Sequence, residues 1–258
     1  MDTLASFSLK GKVVILTGGA GNYGRGLTTQ LAEAGASLVI ASRNGKALAK
    51  VAAEETANGH QVFAEVFEQG EEASVLGLRD RVLARFGRID GLVNNAVART
   101  MKSPDDSLKS WEESMRVNAT GFFALTRAIG DVMAAQREGS IVNISSMMGM
   151  LGPNLAAYEG TDIKTVPDYF FHKGGMINLT RYFAAIYGAA GVRANCVSPG
   201  GFFNHQPPLF LERYNKRTML GRMAGPRDLG GAVVFLLSPA STYITGVNLP
   251  VDGGYTAK

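Results

Sequence analysis

Short apolar runs alternate along the chain with longer segments in which apolar residues recur at helical spacing. The apolar runs, rich in β-branched residues, cover residues 13–16, 38–40, 61–66, 91–93, 140–144, 192–197 and 248–251. The segments of helical period cover residues 26–34, 46–57, 73–86, 111–135, 174–189 and 227–237. Strands that alternate with helices pair in parallel, because each right-handed crossover carries a helix over one face of the sheet. The pattern predicts an α/β fold of Rossmann type, a doubly wound parallel sheet of about seven strands with helices on both faces.

No linker, internal repeat or change of composition divides the chain, which predicts a single domain over residues 1–258. Two segments interrupt the alternation of strands and helices. Residues 151–168 are rich in Gly, Pro, Asn and Thr, and residues 202–225 carry aromatic residues and a Pro-Pro pair. Because ligands of open parallel sheets bind beyond the carboxyl ends of the strands, both segments are predicted to border a ligand site. The alternative is that they are surface loops without a role in binding.

Composition narrows the class of protein. Of the 258 residues, 46% are hydrophobic and 19% are charged, which excludes an intrinsically disordered chain. The net charge of +4 gives no indication of a nucleic-acid partner, and the one cysteine and three histidines show no metal-ligand spacing. No apolar run approaches the ~20 residues of a membrane span, and residues 1–12 lack the apolar core of a signal peptide. We therefore expect a soluble, cytoplasmic protein without a membrane or metal partner.

The first predicted strand runs directly into a glycine-rich segment, residues 17–26, that leads into the first predicted helix. Gly18, Asn22, Tyr23 and Gly24 lie in this segment. Glycine lets the backbone turn sharply and approach a pyrophosphate closely, and the helix N-terminus offers free N–H groups and a positive dipole end. Its position between a strand and a helix indicates a dinucleotide-binding site.

Ser42 and Arg43 follow the second predicted strand, where a carboxylate would bind the 2′-hydroxyl of an adenosine ribose. A hydroxyl and a guanidinium suit a 2′-phosphate instead. NADP(H) is therefore favoured as the cofactor, with NAD(H) as the alternative. Arg43 is also compatible with a solvated surface charge.

Tyr169 and Lys173 are four residues apart and share one face if the segment is helical. A phenol is a weak acid–base group near neutral pH. A lysine ammonium about 4 Å away would stabilise the phenolate by up to about 4 kcal/mol at an effective dielectric constant of about 20. The pair has the chemistry of a general acid–base catalyst, although a structural pair of the same spacing is common.

Together these motifs resemble the short-chain dehydrogenase/reductase family. The resemblance rests on Thr17-Gly18…Gly24, Asn94-Asn95-Ala96, Asn118, Ile144-Ser145-Ser146, Tyr169…Lys173, Ser198-Pro199-Gly200, Ile244-Thr245-Gly246 and Val251-Asp252-Gly253-Gly254. These motifs keep the order and approximate spacing of the family, from about residue 9 to residue 255. These motifs identify the family with high specificity, but they give little indication of the substrate.

The resemblance implies a catalytic set of Asn118, Ser146, Tyr169 and Lys173. Tyr169 would exchange a proton with the substrate oxygen, and Lys173 would assist it and bind the nicotinamide ribose. Ser146 would hydrogen-bond the substrate oxygen, and Asn118 would hold a water that links Lys173 to solvent. The implied cofactor-binding residues are Gly18, Asn22, Tyr23, Gly24, Ser42, Arg43, Glu68, Gln69, Asn95, Ala96, Tyr169, Lys173, Pro199, Gly200 and Phe202. The family also implies a homotetramer or homodimer built through the long helices.

The chain departs from the family pattern most clearly between Ser146 and Tyr169, where it is roughly ten residues longer than usual. Tyr158 lies almost at the usual spacing and competes for the role of catalytic tyrosine. Its neighbour four residues on is Asp162, whose negative charge would oppose ionisation of a phenol. Tyr169 is therefore favoured. Smaller departures are Asn22 and Val97, which stand where the family usually has glycine.

The insertion, residues 151–168, is expected to lie over the mouth of the active site. With its Tyr-Glu-Gly-Thr element, the insertion resembles those of short-chain enzymes associated with bacterial sugar and glycan metabolism. The candidate substrate contacts are Ser146, Tyr158, Glu159 and His205, with Arg99, Lys102 and Lys164 as further polar groups.

The leading interpretation is an NAD(P)-dependent oxidoreductase that interconverts a secondary alcohol and a ketone on a small molecule. A sugar, sugar acid or activated sugar is favoured as that substrate, because a polyhydroxylated molecule needs polar groups and an aromatic face. One alternative is a 3-oxoacyl-thioester reductase, which the same catalytic set would serve. A different class is a dinucleotide-binding regulatory protein without catalysis.

Overall fold

Seven strands form one parallel sheet in the computed structural model, which describes residues 2–257. They are β1 (Val13–Thr17), β2 (Ser37–Ser42), β3 (Val62–Val66), β4 (Gly91–Asn94), β5 (Gly139–Ile144), β6 (Val192–Pro199) and β7 (Asn248–Val251). Their order across the sheet is β3-β2-β1-β4-β5-β6-β7, and each neighbouring pair is parallel. The predicted parallel sheet of seven strands is confirmed.

The helices lie between the strands and flank the sheet. They are α1 (Asn22–Glu33), α2 (Gly45–Ala57), α3 (Glu72–Phe86), α4 (Leu108–Met115), α5 (Phe122–Gln136), α6 (Leu155–Tyr158), α7 (Pro167–Tyr187), α8 (Pro208–Arg217) and α9 (Gly230–Leu237). A π-helical stretch, Arg116–Gly121, joins α4 to α5 without a break.

The two faces of the sheet are buried by different helices. Val14 and Leu16 of β1 belong to a core cluster that includes residues of α1, α2 and α9. Val13 and Ile15 alternate with them and belong to a second cluster, with residues of α3, α5 and α7. Successive strand residues point to opposite faces, so a strand that is covered by helices on both faces is apolar throughout. This explains the continuous apolar runs of the sequence.

The structure differs from the sequence prediction in the helices. The segment 111–135 is not one α-helix, since the π-helical stretch interrupts it at Asn118. The region 202–225 contains α8, a helix that was predicted as loop. Two prolines at its start argued against a helix, yet proline is well tolerated at the first helical position because its missing N–H has no partner there. The insertion contains the single turn α6, and its last two residues already belong to α7.

The strand order reverses between β1 and β4, because β1 leads to β2 on one side and the later strands continue on the other. Such a reversal opens a crevice at the carboxyl ends of the strands. Within residues 2–257 no helix is long and apolar enough to cross a membrane. In the same residues no three His, Cys, Asp or Glu side chains form a group able to hold a metal ion.

Candidate active site

A cleft of about 920 Å³ lies at the carboxyl ends of the strands, at the point where the strand order reverses. Segments that follow β1, β2, β4, β5 and β6 contribute to its lining, as do the insertion and α8. The lining includes Ser146, Tyr169 and Lys173 and the predicted cofactor-binding residues from Gly18 to Phe202. The structure therefore brings together residues that are far apart in the sequence.

The glycine-rich segment forms a tight turn between β1 and α1. Gly18 has a φ of +71°, and a Cβ on Gly24 would lie 1.9 Å from the carbonyl oxygen of Gly18. Neither position accepts a larger residue without movement of the backbone. Helix α1 begins at Asn22, and its N-cap Gly21 has no side chain that could accept from the first N–H groups. These N–H groups remain available to an anion in the cleft.

Asn22 occupies the first position of α1, where its φ is in the ordinary negative range. The departure from glycine therefore requires no left-handed backbone at this residue. Tyr23 follows and donates a hydrogen bond from its hydroxyl to the carbonyl oxygen of Gly200 over 2.8 Å. Its ring meets that of Phe202 edge to face, with 4.9 Å between centroids. The contact ties the start of α1 to the segment after β6.

Asn95 and Ala96 close the crevice between β1 and β4. The backbone N–H groups of both residues donate to the Thr17 hydroxyl over 3.0 and 2.9 Å. The side-chain amide of Asn95 donates to the carbonyl oxygen of Thr17 over 2.9 Å. Asn95 thus fixes the distance between the two strand ends on which a dinucleotide would lie.

Arg43 and Glu68 face each other at one end of the cleft. The Nε of Arg43 is 3.6 Å from a carboxylate oxygen of Glu68, and 66% of the arginine side chain is exposed. Ser42 and Gln69 line the same end. The guanidinium is therefore accessible, although one carboxylate partly neutralises it.

Ser145 and Ser146 follow β5 and point to different places. The Ser145 hydroxyl is buried and donates to the carbonyl oxygen of Lys173 over 2.7 Å, so it holds the end of β5 against α7. The Ser146 hydroxyl accepts from the backbone N–H of Met148 over 3.1 Å and lines the cleft. A hydroxyl that accepts in this way keeps its proton free to donate to a ligand.

Tyr169 and Lys173 both lie in α7, which confirms that the segment is helical. The Nζ of Lys173 is 5.8 Å from the centroid of the Tyr169 ring and donates to the carbonyl oxygen of Ile144 over 2.6 Å. Lys173 is 3% exposed, and its burial lowers the pKa of its ammonium from 10.5 to about 8. Within residues 2–257 the Tyr169 hydroxyl has no hydrogen-bond partner, so it is free to contact a ligand.

Asn118 lies in the π-helical stretch, and its side chain makes three hydrogen bonds. Its carboxamide oxygen accepts from the N–H of Ala98 over 2.8 Å, and its NH₂ donates to the Ala98 carbonyl oxygen and to the Ser114 hydroxyl. The Ser114 hydroxyl in turn donates to a carboxyl oxygen of Asp168 over 2.6 Å. This buried chain joins α4 and the segment after β4 to the first turn of α7.

Ser114 and Asp168 were not identified from the sequence, although two signals pointed to them. Ser114 is four residues before Asn118 in a segment of helical period, which places both on one face. Asp168 directly precedes Tyr169. Both side chains are 2% exposed or less, and the second carboxyl oxygen of Asp168 has no partner in the described chain.

Replacement of Ser114 by alanine is expected to lower the free energy of unfolding by about 1–3 kcal/mol, because it leaves the buried Asp168 carboxyl without a hydrogen bond. Urea unfolding of the variant measures the loss. In the double variant Ser114→Ala/Asp168→Ala the losses should be less than additive, since the second change removes the group that the first left unpartnered. Strictly additive losses would contradict the assigned contact.

His172 lies one turn after Tyr169 in α7, and its side chain is buried. Its ring meets that of Tyr169 edge to face at 5.3 Å, and neither ring nitrogen has a partner in the described chain. Burial, together with the charges of Lys173 and Arg99, lowers the pKa of His172 to about 3. The imidazole is therefore neutral near pH 7 and adds no charge to the site.

The insertion and α8 form the outer wall of the cleft. Tyr158 lines it and packs against Phe210 of α8 with 5.3 Å between ring centroids. The guanidinium of Arg213 in α8 donates to the carbonyl oxygens of Ala156 and Glu159. The two segments are thereby joined, as expected for walls of one ligand site.

Two of the predicted substrate contacts are not among the lining residues. The Glu159 side chain is exposed on the outer side of the insertion, and His205 is exposed and packs on Phe203 at 5.2 Å. The positive φ of His205, +54°, belongs to the turn between Asn204 and Gln206, both of which do line the cleft. The sequence indicated the right segments but not which side chains turn inward.

Comparisons with known proteins agree with this geometry. A family model described as enoyl-(acyl carrier protein) reductase matches residues 19–256. Cyclopentanol dehydrogenase of Comamonas testosteroni is 34% identical over 268 residues, which cover 96% of this chain and 98% of the relative. D-threitol dehydrogenase of Mycolicibacterium smegmatis is 33% identical over 260 residues, covering 98% and 95%. The 3-oxoacyl-[acyl-carrier-protein] reductase of Aquifex aeolicus is 34% identical over 253 residues, covering 95% and 97%.

Solved structures show the same fold along the whole chain. A gluconate 5-dehydrogenase from Burkholderia cenocepacia, in complex with NADP and tartrate, matches with a TM-score of 0.90 at 33% identity and covers 100% of both chains. A short-chain type dehydrogenase/reductase from Mycobacterium marinum matches with a TM-score of 0.89 at 29% identity, again over 100% of both chains.

Proposed function

Because this chain belongs to the short-chain dehydrogenase/reductase family and is an NAD(P)-dependent oxidoreductase of CH–OH groups, we propose a polyhydroxylated small molecule as its substrate. A secondary alcohol of a sugar, sugar alcohol or sugar acid would be interconverted with the ketone. The observation that carries this proposal is the presence of three polar side chains without hydrogen-bond or ion-pair partners in residues 2–257, Arg99, Lys164 and Asn204, on the wall of the cleft.

The residues of the cleft fit a nicotinamide dinucleotide. A Cβ on Gly24 would fill the turn after β1, and the uncapped N-terminus of α1 faces the same space. Gly18, Asn22 and Tyr23 would hold the pyrophosphate, Asn95 and Ala96 a ribose, and Pro199, Gly200 and Phe202 would line the nicotinamide. When bound, the dinucleotide supplies a hydride for reduction or accepts one for oxidation.

We assign the proton transfer to Tyr169. Its unpartnered hydroxyl would give a proton to the carbonyl oxygen in reduction and accept it from the alcohol in oxidation. The Ser146 hydroxyl, which keeps its proton free, would hold the same substrate oxygen. The buried Lys173 ammonium would stabilise the phenolate of Tyr169 and hydrogen-bond the ribose. The Asn118 side chain makes three hydrogen bonds, and the second lone pair of its carboxamide oxygen would hold the relay water.

Three polar side chains on the cleft wall support a polyhydroxylated substrate. They are Arg99 after β4, Lys164 in the insertion and Asn204 before α8. Within residues 2–257 the side chains of these three residues make no hydrogen bond or ion pair. A site built to bind hydroxyl groups needs such free donors and acceptors, whereas an acyl chain would leave them without partners.

A panel of alcohols tests the proposal through the rise of absorbance at 340 nm with NADP or NAD as the oxidant. The panel contains hexitols, pentitols, aldonates, simple cyclic alcohols and a 3-hydroxyacyl thioester. The proposal requires polyhydroxylated substrates to give the highest kcat/KM. The Aquifex relative and the apolar lining residues Met147, Phe210 and Met223 favour the thioester as the second candidate. Reaction of the thioester alone would establish that alternative.

We further infer a preference for NADP(H), which rests on the accessible guanidinium of Arg43 beside Ser42. The bound NADP of the Burkholderia structure supports it by analogy. Arg43→Ala is expected to lower the preference for NADPH over NADH, as a ratio of kcat/KM values, by about tenfold, because one charge-assisted contact to the 2′-phosphate is lost.

The matched control is Arg25→Ala. Arg25 is an exposed arginine of α1 that pairs with Glu54 and is not among the lining residues. This control should leave the preference unchanged. An Arg43 variant that keeps the wild-type ratio would overturn the assignment of the 2′-phosphate to Arg43.

We also infer a homodimer or homotetramer in the cytoplasm. Large apolar side chains are exposed on α4 and α7, where Leu108, Phe171, Tyr182 and Ile186 are each more than half exposed. An unpaired apolar surface of this kind is typical of a subunit interface. The lone Cys196 is buried and unpaired, which is consistent with a reducing compartment.

A further inference from the structure

Among residues 2–257, four cationic side chains and one carboxylate line the cleft, and their charges are unevenly distributed along it. The carboxylate is Glu68, which lies beside Arg43 at the end predicted to bind adenosine. Lys173 is buried under Tyr169. The other two cations, Arg99 and Lys164, line the wall on which the substrate would lie. In the described part of the chain, residues 2–257, no carboxylate pairs with either of them.

Arg99 lies close to the reacting group. Its guanidinium carbon is 5.1 Å from the centroid of the Tyr169 ring, and its charge contributes to the lowered pKa of both Lys173 and His172. Two positive groups, the guanidinium of Arg99 and the ammonium of Lys173, therefore lie within 6 Å of the centroid of one phenol ring. Like charges in one pocket repel one another, and an anion between them relieves that repulsion.

The position of Arg99 distinguishes it from the groups that would hold the cofactor. It follows β4 by five residues, whereas the phosphate-binding turn lies between β1 and α1. Lys164 lies in the insertion, and the insertion forms no part of the phosphate-binding turn. Neither cation is needed at the glycine-rich segment, where the backbone N–H groups of α1 already face the anion.

We propose that Arg99 is the specificity-determining residue of this enzyme and binds an anionic group of the substrate, with Lys164 as a second cation on the same wall. The inference rests on the proposed polyol chemistry and narrows it to polyhydroxy acids or sugar phosphates. The planar guanidinium matches the two oxygens of a carboxylate or phosphate. Since Arg99 is so near Tyr169, the anion and the oxidised carbon belong to one small molecule and are separated by a few bonds.

The arrangement also orients the substrate. Tyr169 and Ser146 would fix the reacting oxygen, and Arg99 would fix the anionic group a few bonds away in the same molecule. Two anchors at a set separation select one carbon of a chain in which every carbon bears a hydroxyl group. A neutral polyol lacks the second anchor and can bind in several registers, which lowers its rate of productive binding.

The test compares three substrates that differ in one terminal group: D-gluconate, D-glucitol and D-glucitol 6-phosphate. For the wild-type enzyme we expect kcat/KM for one of the two anions to exceed that for D-glucitol by at least tenfold. In Arg99→Gln this ratio should fall by about tenfold to a hundredfold, the effect of one charge-assisted contact. Arg99→Lys should recover part of it, and Lys164→Gln should cause a smaller loss.

Lys109→Gln is the matched control, since it removes one positive charge from exposed α4 outside the cleft. It should leave the anion-to-neutral ratio unchanged. The two anions distinguish a carboxylate site from a phosphate site. Equal use of D-glucitol and both anions, or an unchanged ratio in Arg99→Gln, would overturn the role of Arg99 while leaving the proposed polyol oxidation in place. Oxidation of the 3-hydroxyacyl thioester alone would instead refute the polyol proposal itself.

Discussion

Phenylalanine in place of Tyr169 is expected to lower kcat by about 10²- to 10⁴-fold, the range that a positioned proton donor contributes. The Tyr169 hydroxyl has no partner within residues 2–257, so its removal costs the fold no hydrogen bond. The ring contacts with His172 and Arg99 remain. Steady-state kinetics should show the loss in turnover, and fluorescence titration should show that NADPH still binds with wild-type affinity.

Tyr158→Phe is the control, because Tyr158 lies almost at the family's usual spacing from Ser146 and lines the same cleft. Burial raises the pKa of Tyr158 to about 12. Its hydroxyl is therefore the poorer acid–base group. We expect a change in KM and a kcat within a few fold of the wild type. Loss of turnover in Tyr158→Phe with activity retained in Tyr169→Phe would reverse the assignment.

Methionine in place of Lys173 is expected to abolish most turnover and yet to stabilise the fold at pH 7. A lysine whose pKa falls from 10.5 to about 8 on folding costs about 3 kcal/mol while it is protonated. The variant also loses the hydrogen bond from Lys173 to the Ile144 carbonyl oxygen, which offsets about 1 kcal/mol of the stabilisation. The net gain of about 2 kcal/mol is measurable by urea unfolding.

The stability difference between Lys173→Met and the wild type is expected to depend on pH. Because the folded pKa is depressed, the wild type becomes more stable as the pH rises from about 8 towards 10.5, where the folded protein has already lost the proton. The advantage of Lys173→Met should therefore shrink over that interval. Lys50→Met, on an exposed residue of α2, should show neither the gain nor the pH dependence. A variant less stable than the wild type at pH 7 would show that the buried ammonium is a net stabilising group.

The sequence was sufficient for the sheet because its central strands are apolar on both faces. Runs such as 13–16 and 38–40 fit between two helical layers of an α/β fold. The helices were less predictable where local signals conflict. In α8 the consecutive prolines indicated a loop, while Phe210 and Tyr214, four residues apart and both buried, follow helical spacing.

The residues of the candidate site also differ in how far the sequence predicts their positions. Residues held by regular elements, such as Tyr169 on α7 or Ser146 after β5, are predictable because motif spacing and element geometry coincide. Side chains of the insertion are not, since an irregular backbone turns Lys164 inward and Glu159 outward without any period in the sequence. A buried partner such as Ser114 can be predicted only when it is known which helices pack against each other.

The attachment of the outer wall bears on how such a protein changes over evolutionary time. The insertion and α8 hold each other through Arg213, Tyr158 and Phe210. Ser146 and Lys173, in contrast, are held by β5 and α7 within the main core. Substitutions on the wall at Tyr158 or Phe210 are therefore expected to alter which molecules are accepted more than they alter the distances among Ser146, Tyr169 and Lys173. In an arrangement of this kind a change of substrate and the retention of hydride transfer are compatible in one mutational step.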